Sequence, residues 1–317
     1  MEFRLFTLGS VDALAKRVAA HIGAELGTIK CKTFADGEQY IQFQENLRSK
    51  NVYLVQTTNS ADAWIRLFLA IDAARGASAH EITAVIPYLG YSRQDRKSKP
   101  REPISARVFA TALEALGANR VLTMDLHNDA IGGFFRRTNV DYLYARPVFV
   151  SHFREIFTDA LKSDGLVVVS PDAGGVVRAQ SYAKRLMPEG AELAIIHKER
   201  EIPNQVARMK LIGEVKGKVA LIVDDLADTC GTLARAAALL SENGATEVYA
   251  CTTHGVLSGT AIETIETSSI KKLFITDTVA HEDLGTKIEV VSVANIFGDA
   301  INRIEKGESL SALFETE

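Results

Sequence analysis

The chain has 317 residues, beyond the size at which one hydrophobic core usually stops growing, so two domains are expected. A composition of 47% hydrophobic and 24% charged residues is that of a globular protein. With 36 basic and 40 acidic residues the net charge is −4, which excludes whole-molecule attraction to nucleic acid or to an acidic membrane and leaves local cationic clusters to meet any anionic ligand.

In chain order, short β-rich runs predict strands at Arg4–Leu8, Val52–Gln56, Glu81–Pro87, Arg120–Met124, Leu166–Ser170, Ala191–His197, Val219–Asp224, Glu247–Thr252, Lys272–Thr276 and Ile288–Ser292. Between them, helical periodicity predicts helices at Val11–Gly23, Ala61–Gly76, Ser105–Gly117, Val148–Thr158, Gly175–Arg185, Thr232–Asn243 and Ser258–Glu266. Such alternation implies right-handed βαβ units and parallel sheets flanked by helices. "GANRVLTMDLH" and "GATEVYACTTHG" each follow a helix and run Gly-Ala, polar pair, strand, His-bearing loop. The pair suggests one α/β unit used twice, as domains 1–145 and 146–317.

No apolar run approaches the length of a spanning helix, and "MEFRLFTLGS" lacks the features of a signal peptide. Cys31, Cys230 and Cys251 are far apart, with no CxxC or zinc spacing. A reducing, cytoplasmic setting is expected.

The common nucleotide motifs GxxxxGK[ST], strand-coupled GxGxxG and HRD/DFG are missing. Phosphate binding instead points to "VALIVDDLADTCGTLARAAALL" (219–240). Ligands of open parallel sheets sit beyond the carboxyl ends of strands. There Asp224 and Asp225 suit sugar hydroxyls, which donate hydrogen bonds. Asp228, Thr229, Cys230, Gly231 and Thr232 can curl so that backbone N–H groups, hydroxyls and the next helix's positive end surround an anion. One ligand satisfies both halves: ribose 5-phosphate. An acidic strand end followed by an ordinary helix cap is the plainer reading.

"VVSPDAGGVVRAQ" (167–179) is a second strand–loop–helix turn, where Gly174 and Gly175 allow close backbone approach and Asp172 could face magnesium or a diphosphate-bound metal. His127 in "TMDLHND" is flanked by Asp125 and Asp129, and is either a structural hydrogen-bonding residue or a ligand. The basic stretches "YSRQDRKSKPREP" (91–103) and "HKEREIPNQVARMK" (197–210) follow strand candidates and would overhang the ligand edge.

Together these motifs resemble the ribose-phosphate diphosphokinase (phosphoribosyl pyrophosphate synthetase) family. The resemblance runs from "FADGE" (34–38) through "RQDR", "EPISA", "MDLH", "GFF", "SPDAGG", "HKER", "VDDLADTCGT" and "THG" to the C-terminal helix. It implies two tandem type I phosphoribosyltransferase-like α/β domains and a homohexamer assembled from dimers. ATP and ribose 5-phosphate would be the substrates and Mg²⁺ the cofactor. By position, Lys198 and Arg200 would be the catalytic pair. Arg93 and Gln94 would contact ATP, and Phe34, Asp36, Gly37 and Glu38 would reach adenine from a neighbouring subunit. Asp224, Asp225, Asp228–Thr232 and Arg200 would bind ribose 5-phosphate. Asp172, Ala173, Gly174 and Gly175 would hold the diphosphoryl group, and His127 and Asp172 would contact Mg²⁺.

The segment Arg136–Asp141 and Ala130 depart from the family pattern, which puts inherited allosteric control in question more than the chemistry. A phosphoribosyltransferase would leave "FADGE" and "RQDR" without a role. A non-catalytic regulatory subunit should have lost the loop residues that this chain keeps.

Overall fold

A computed structural model of the chain describes residues 2–187, 192–199 and 208–314; for Lys198, Glu199 and Arg208 it describes the backbone. Two compact units result, the first spanning residues 1–144, 277–280 and 292–316, the second 145–276 and 281–291.

In the first unit the chain runs β1 (Phe3–Thr7), α1 (Asp12–His21), β2 (Ile29–Thr33), β3 (Gln39–Phe43), β4 (Asn51–Val55) and α2 (Ala61–Gly76). It continues through β5 (Glu81–Ile86), α3 (Ser105–Leu116), β6 (Arg120–Met124) and β7 (Asn139–Leu143). Five strands form a parallel sheet in the order β1-β4-β5-β6-β7, while β2 and β3 make a separate antiparallel hairpin. The sheet strands read as near-continuous apolar runs because both faces are covered. Leu54, Ile71, Ile82, Leu113 and Val121 lie in one core, with Trp64 stacked on Phe109 at 4.2 Å.

The second unit contains α4 (Arg146–Ile156), α5 (Thr158–Lys162), β8 (Leu166–Ser170), α6 (Val176–Leu186), β9 (Leu193–Glu199) and β10 (Arg208–Ile212). It continues with β11 (Val219–Ala227), α7 (Gly231–Glu242), β12 (Glu247–Gly255), α8 (Ala261–Thr267), β13 (Ile270–Thr276) and β14 (Ile288–Val291). Its sheet order is β10-β9-β8-β11-β12-β13-β14, parallel except for β10 against β9. Val169, Ile222, Leu233, Ala250 and Leu273 share its core.

The two halves repeat one joint. After α3, Ala118 N–H bonds Leu113 O at 3.1 Å and Asn119 N–H bonds Ile82 O at 2.9 Å. After α7, Ala245 N–H bonds Leu240 O at 3.1 Å and Thr246 N–H bonds Lys218 O at 2.8 Å. Gly117 and Gly244 take the positive φ that such helix ends require (+108° and +87°).

A contiguous second domain at 146–317 does not describe this division. The last helix, α9 (Ala294–Lys306), belongs to the first unit because Ile296, Phe297, Ala300 and Ile301 are buried there and it packs on α1. The approach is close: a Cβ on Gly298 would lie 2.6 Å from His21 Cδ2. Two further expectations are corrected. The acids Asp224 and Asp225 lie within β11, which continues to Ala227 rather than ending at the aspartates, since Leu226 and Ala227 remain in register with His254 and Gly255 of β12. The 197–210 stretch is partly a β-ribbon, Lys198 facing Met209 in register. The departing segment is tied down: Glu114 Oε1 accepts the N–H groups of Arg136, Arg137 and Thr138 at 2.7, 2.5 and 2.9 Å.

Candidate active site

In the second sheet the chain leaves β8 toward β9 on one side and returns to β11 on the other, so strand order reverses between β8 and β11. Loops diverging at such a reversal open a crevice at the carboxyl ends of the strands. The two turns that open there are Pro171–Gly175, between β8 and α6, and Asp228–Cys230, between β11 and α7.

The first turn is closed by its own side chains. Asp172 Oδ1 accepts the Gly175 N–H at 3.0 Å, and the buried Ser170 hydroxyl donates to Asp172 O at 2.7 Å. A Cβ on Gly175 would stand 2.9 Å from Ser170 Oγ, so this position excludes any side chain unless the serine yields. Helix α6 begins at Val176 with no side-chain cap, which leaves its first N–H groups for a ligand.

The second turn joins acids to an anion cradle. Asp225 is 6% exposed, and its Oδ1 lies 3.2 Å from Arg178 Nη1. Asp224 Oδ1 accepts the Asp225 N–H at 2.9 Å and lies 3.7 Å from the same guanidinium nitrogen. Burial, and then the adjacent Asp225 charge, push the Asp224 carboxyl far above its ordinary range, to about 8. Cys230 caps α7 from the left-handed region (φ +62°), a conformation that costs a β-carbon residue energy and that recurs at ligand sites. Burial first, then Asp228, raise its thiol to about 11, so it stays protonated and its contribution is backbone shape.

The turn is pinned from behind. Val256 and Leu257 N–H groups bond Ala227 O at 2.8 and 3.0 Å, and Ser258 N–H bonds Asp228 O at 3.0 Å. The first intrahelical bond of α7 is Ala234 N–H to Cys230 O at 2.9 Å, so the preceding N–H groups are left over by the helix. No hydrogen bond from the Thr229 or Thr232 hydroxyl occurs among the described residues. Donors without partners, a helix N-terminus and acids one step back thus share one crevice edge.

In the first unit, the loops after the neighbouring strands β5 and β6 carry the other candidates. Arg93 is exposed, whereas Gln94 Oε1 accepts the Ser105 hydroxyl at 2.6 Å and so helps to seat the start of α3. His127 is exposed on the loop after β6. Beside it, Asn128 Oδ1 accepts the Ala130 N–H at 3.0 Å while its Nδ2 donates to Asp95 Oδ2 at 2.7 Å. The Arg93–Gln94 and His127 segments are therefore joined. Phe34, Asp36, Gly37 and Glu38 form the turn of the β2–β3 hairpin, closed by Phe34 N–H to Glu38 O at 2.8 Å and Glu38 N–H to Asp36 Oδ1 at 3.1 Å. Phe34 is 41% exposed, with Lys32 Nζ 4.8 Å from its ring centroid.

Lys198 is on β9, and Arg200 lies outside the described residues. Asp95, Asn128 and Arg178 lie within the quoted stretches RQDR, TMDLHND and VVSPDAGGVVRAQ but show no role there, because each acquires its partner only through the fold.

No group of three or more His, Cys, Asp or Glu among the described residues could hold a metal by itself. Magnesium does not need one, because it keeps several waters and binds through one or two side chains together with substrate phosphates. His127 is exposed and Asp172 stands at the turn beside uncapped N–H groups, which suits side chains that contact a phosphate-borne ion.

Two family models match the chain. Residues 3–117 match the N-terminal domain of ribose phosphate pyrophosphokinase, and residues 198–315 match the phosphoribosyl synthetase-associated domain. A ribose-phosphate pyrophosphokinase of Chlorobaculum tepidum is 45% identical over 306 residues, covering 96% of this chain and 92% of its own. Ribose-phosphate pyrophosphokinase 1 of Spinacia oleracea is 45% identical over 316 residues, covering 98% and 92%. The crystal structure of phosphoribosylpyrophosphate synthetase from Mycobacterium smegmatis superposes with a TM-score of 0.89 at 34% identity, covering 97% of this chain and 100% of that one. Similarity of this extent, carried by both halves of the chain, makes it a member of the ribose-phosphate pyrophosphokinase family of enzymes.

Proposed function

We propose that the chain transfers the β,γ-diphosphoryl group of Mg-ATP to the anomeric hydroxyl of ribose 5-phosphate, giving phosphoribosyl diphosphate and AMP. The observation that carries this reading is the pairing of Asp224 and Asp225 with the donor-rich Asp228–Thr232 turn at the strand-order reversal. A sugar phosphate has hydroxyls for the acids and an anion for the turn; a free phosphate would leave the acids unused, and an unphosphorylated sugar or nucleoside would leave the turn unused.

In this reading, the N–H groups of 228–232 and the Thr229 and Thr232 hydroxyls hold the 5-phosphate, and the two aspartates accept hydrogen bonds from ribose hydroxyls. The Asp172–Gly175 turn and the start of α6 hold the diphosphoryl group. The anomeric oxygen loses its proton to solvent and forms a bond to the β-phosphorus as the bond from that phosphorus to the bridging α-phosphate oxygen breaks, and the leaving AMP takes that oxygen. The catalysis asked of the protein is positioning and charge neutralisation. Lys198 and Arg200 would offset charge on the transferring group and on AMP. His127 and Asp172 would contact Mg²⁺, which when bound neutralises phosphate oxygens. Arg93 and Gln94 would contact ATP, and the Phe34–Glu38 turn would approach adenine in a neighbouring copy, within a homohexamer. Three free cysteines support a reducing, cytoplasmic setting.

The test is to incubate the purified chain with Mg-ATP and ribose 5-phosphate and to separate the nucleotides. AMP formed only when the sugar phosphate is present is the expected result. ADP in its place would mean γ-phosphoryl transfer and would overturn the mechanism.

A further inference from the structure

Arg178 lies on α6, in the first turn after Gly175, and reaches across to β11. Its Nη1 is 3.2 Å from Asp225 Oδ1 and 3.7 Å from Asp224 Oδ1. One guanidinium thus links the helix that opens the diphosphate turn to both acids of the neighbouring turn. The side chain is itself largely covered, with 26% of its surface exposed, against 9% for the Asp225 side chain.

We propose that Arg178 is a positioning residue for the sugar phosphate: it holds Asp225 in place and opposes the charge of the acid pair when ribose hydroxyls dock on it. This rests on the ribose 5-phosphate reading above and adds to it a residue that neither the motifs nor the turn geometry assigns.

The argument is electrostatic. Two adjacent carboxylates, one of them buried, cannot both ionise near neutrality unless a cation opposes them. A protonated acid can still donate to a hydroxyl oxygen, but it gives up the stronger charge-assisted bond that a carboxylate accepts from a ribose hydroxyl. The groups acting on Asp224 are Asp225 on β11 and Arg178 on α6, and its register partner on β12 is Thr252, with His254 two residues further along. The adjoining strand β8 ends in Ser170, which is not titratable. Arg178 alone among these is a permanent cation, and it draws the Asp224 carboxyl back toward ionisation against burial and Asp225.

The test measures ribose 5-phosphate binding by calorimetry, without turnover, for the full chain and the variants Arg178→Met and Arg178→Lys, from about pH 6.5 to about pH 9. Removing one partner of a covered charge pair is expected to weaken binding of ribose 5-phosphate by roughly 10–100-fold near neutrality. The deficit should shrink as pH rises and the acids ionise unaided. Arg178→Lys should retain most of the affinity, and ATP binding should be unchanged in both variants. Should Arg178→Met not fold, the pH dependence of Arg178→Lys binding decides the question, because a lysine that misses the bridge carries the same shift in smaller measure. An equal loss at every pH, or ATP binding that falls in step, would show a merely structural role and overturn the proposal; so would unchanged binding. The outcomes separate the two readings. A parent chain that binds ribose 5-phosphate but forms no AMP fails the proposed reaction and leaves Arg178 to be judged on binding. A parent chain that forms AMP while Arg178→Met binds and reacts like it fails the Arg178 proposal alone.

Discussion

Asn128 Nδ2 donates to Asp95 Oδ2 at 2.7 Å, and through this bond the loop that carries His127 is tied to the loop that carries Arg93 and Gln94. The same side chain caps the short helix 129–134 through the Ala130 N–H. Serine at this position can still cap but cannot span to Asp95, so Asn128→Ser separates the two roles. The bond is exposed, so its loss should change thermal stability little, while the loosened loop should raise KM for ATP by roughly 3–10-fold. Asn128→Asp sets a like charge against Asp95 and should raise KM further. Steady-state kinetics with varied ATP would decide; a loss in kcat alone would detach the bond from ATP placement.

The Pro171–Gly175 turn has no room at Gly175. An added Cβ meets Ser170 Oγ at 2.9 Å, and the other nearby atoms are 3.9 Å away. Gly175→Ala should therefore impair turnover, since the serine is buried and its hydroxyl is engaged with Asp172 O. Ser170→Ala on the same chain removes the colliding atom for about 1 kcal/mol of lost hydrogen bond. The double variant should then be more active than Gly175→Ala alone. Equal activity in the two would mean that Gly175 matters for something other than this contact.

Legibility divided along the line between local and long-range order. The turns 171–175 and 228–232 were readable because strand, turn residues and helix start are contiguous in sequence, and the Gly-Ala joints after α3 and α7 were readable as a repeat for the same reason. The hairpin of β2 and β3 escaped, because its half-buried strands lack the apolar runs of the sheet strands and "FADGE" reads as a ligand motif before it reads as a turn. The membership of α9 could not be read locally: what assigns it is the close approach of Gly298 to His21, nearly the whole chain away. Asp224 and Asp225 were expected at the tip of their strand, but the strand runs past them because β12 stays in register, which no local signal marks.

Glu305 on α9 accepts from Tyr53 OH at 2.7 Å and from Asn51 Nδ2 at 3.0 Å, joining the last helix to β4 of the first sheet. Glu305→Ala strands both donors in a largely buried setting, at about 1–3 kcal/mol. Thermal melting should fall by roughly 2–4 °C for each kcal/mol. Kinetic constants measured well below the transition should hold, as none of the three residues belongs to the proposed site. A melting temperature unaltered by the change would show that water replaces the carboxylate at no cost.

Lys198→Ala tests the cation proposed to act on the transferring group. Loss of one group that stabilises transition-state charge costs roughly 10²–10³ in kcat, with KM for ribose 5-phosphate less affected. Circular dichroism should be unchanged, because Lys198 sits on β9 next to the antiparallel edge strand β10 and the backbone pairing with Met209 does not need its side chain. A loss below about tenfold would remove Lys198 from the chemical step.

Asp224 also makes stability depend on pH in a direction opposite to that of most carboxylates. Its folded-state carboxyl titrates at about 8, raised by burial and by Asp225, against about 3.9 in an unfolded chain. Between these values the folded chain binds more protons than the unfolded chain, so stability falls as pH rises. The contribution is complete below the unfolded value and is lost as pH passes through the folded one. Without ligand, the melting temperature should drop as pH rises from about 6 to about 8 and level off above that. Asp224→Asn has no proton to lose, so its melting temperature should be flatter over this window and should exceed the parent's at the alkaline end. Calorimetric scans of both proteins at matched ionic strength make the comparison. Parallel curves would mean that the carboxyl is ionised throughout, and the acid pair would then be balanced by Arg178 already in the free protein.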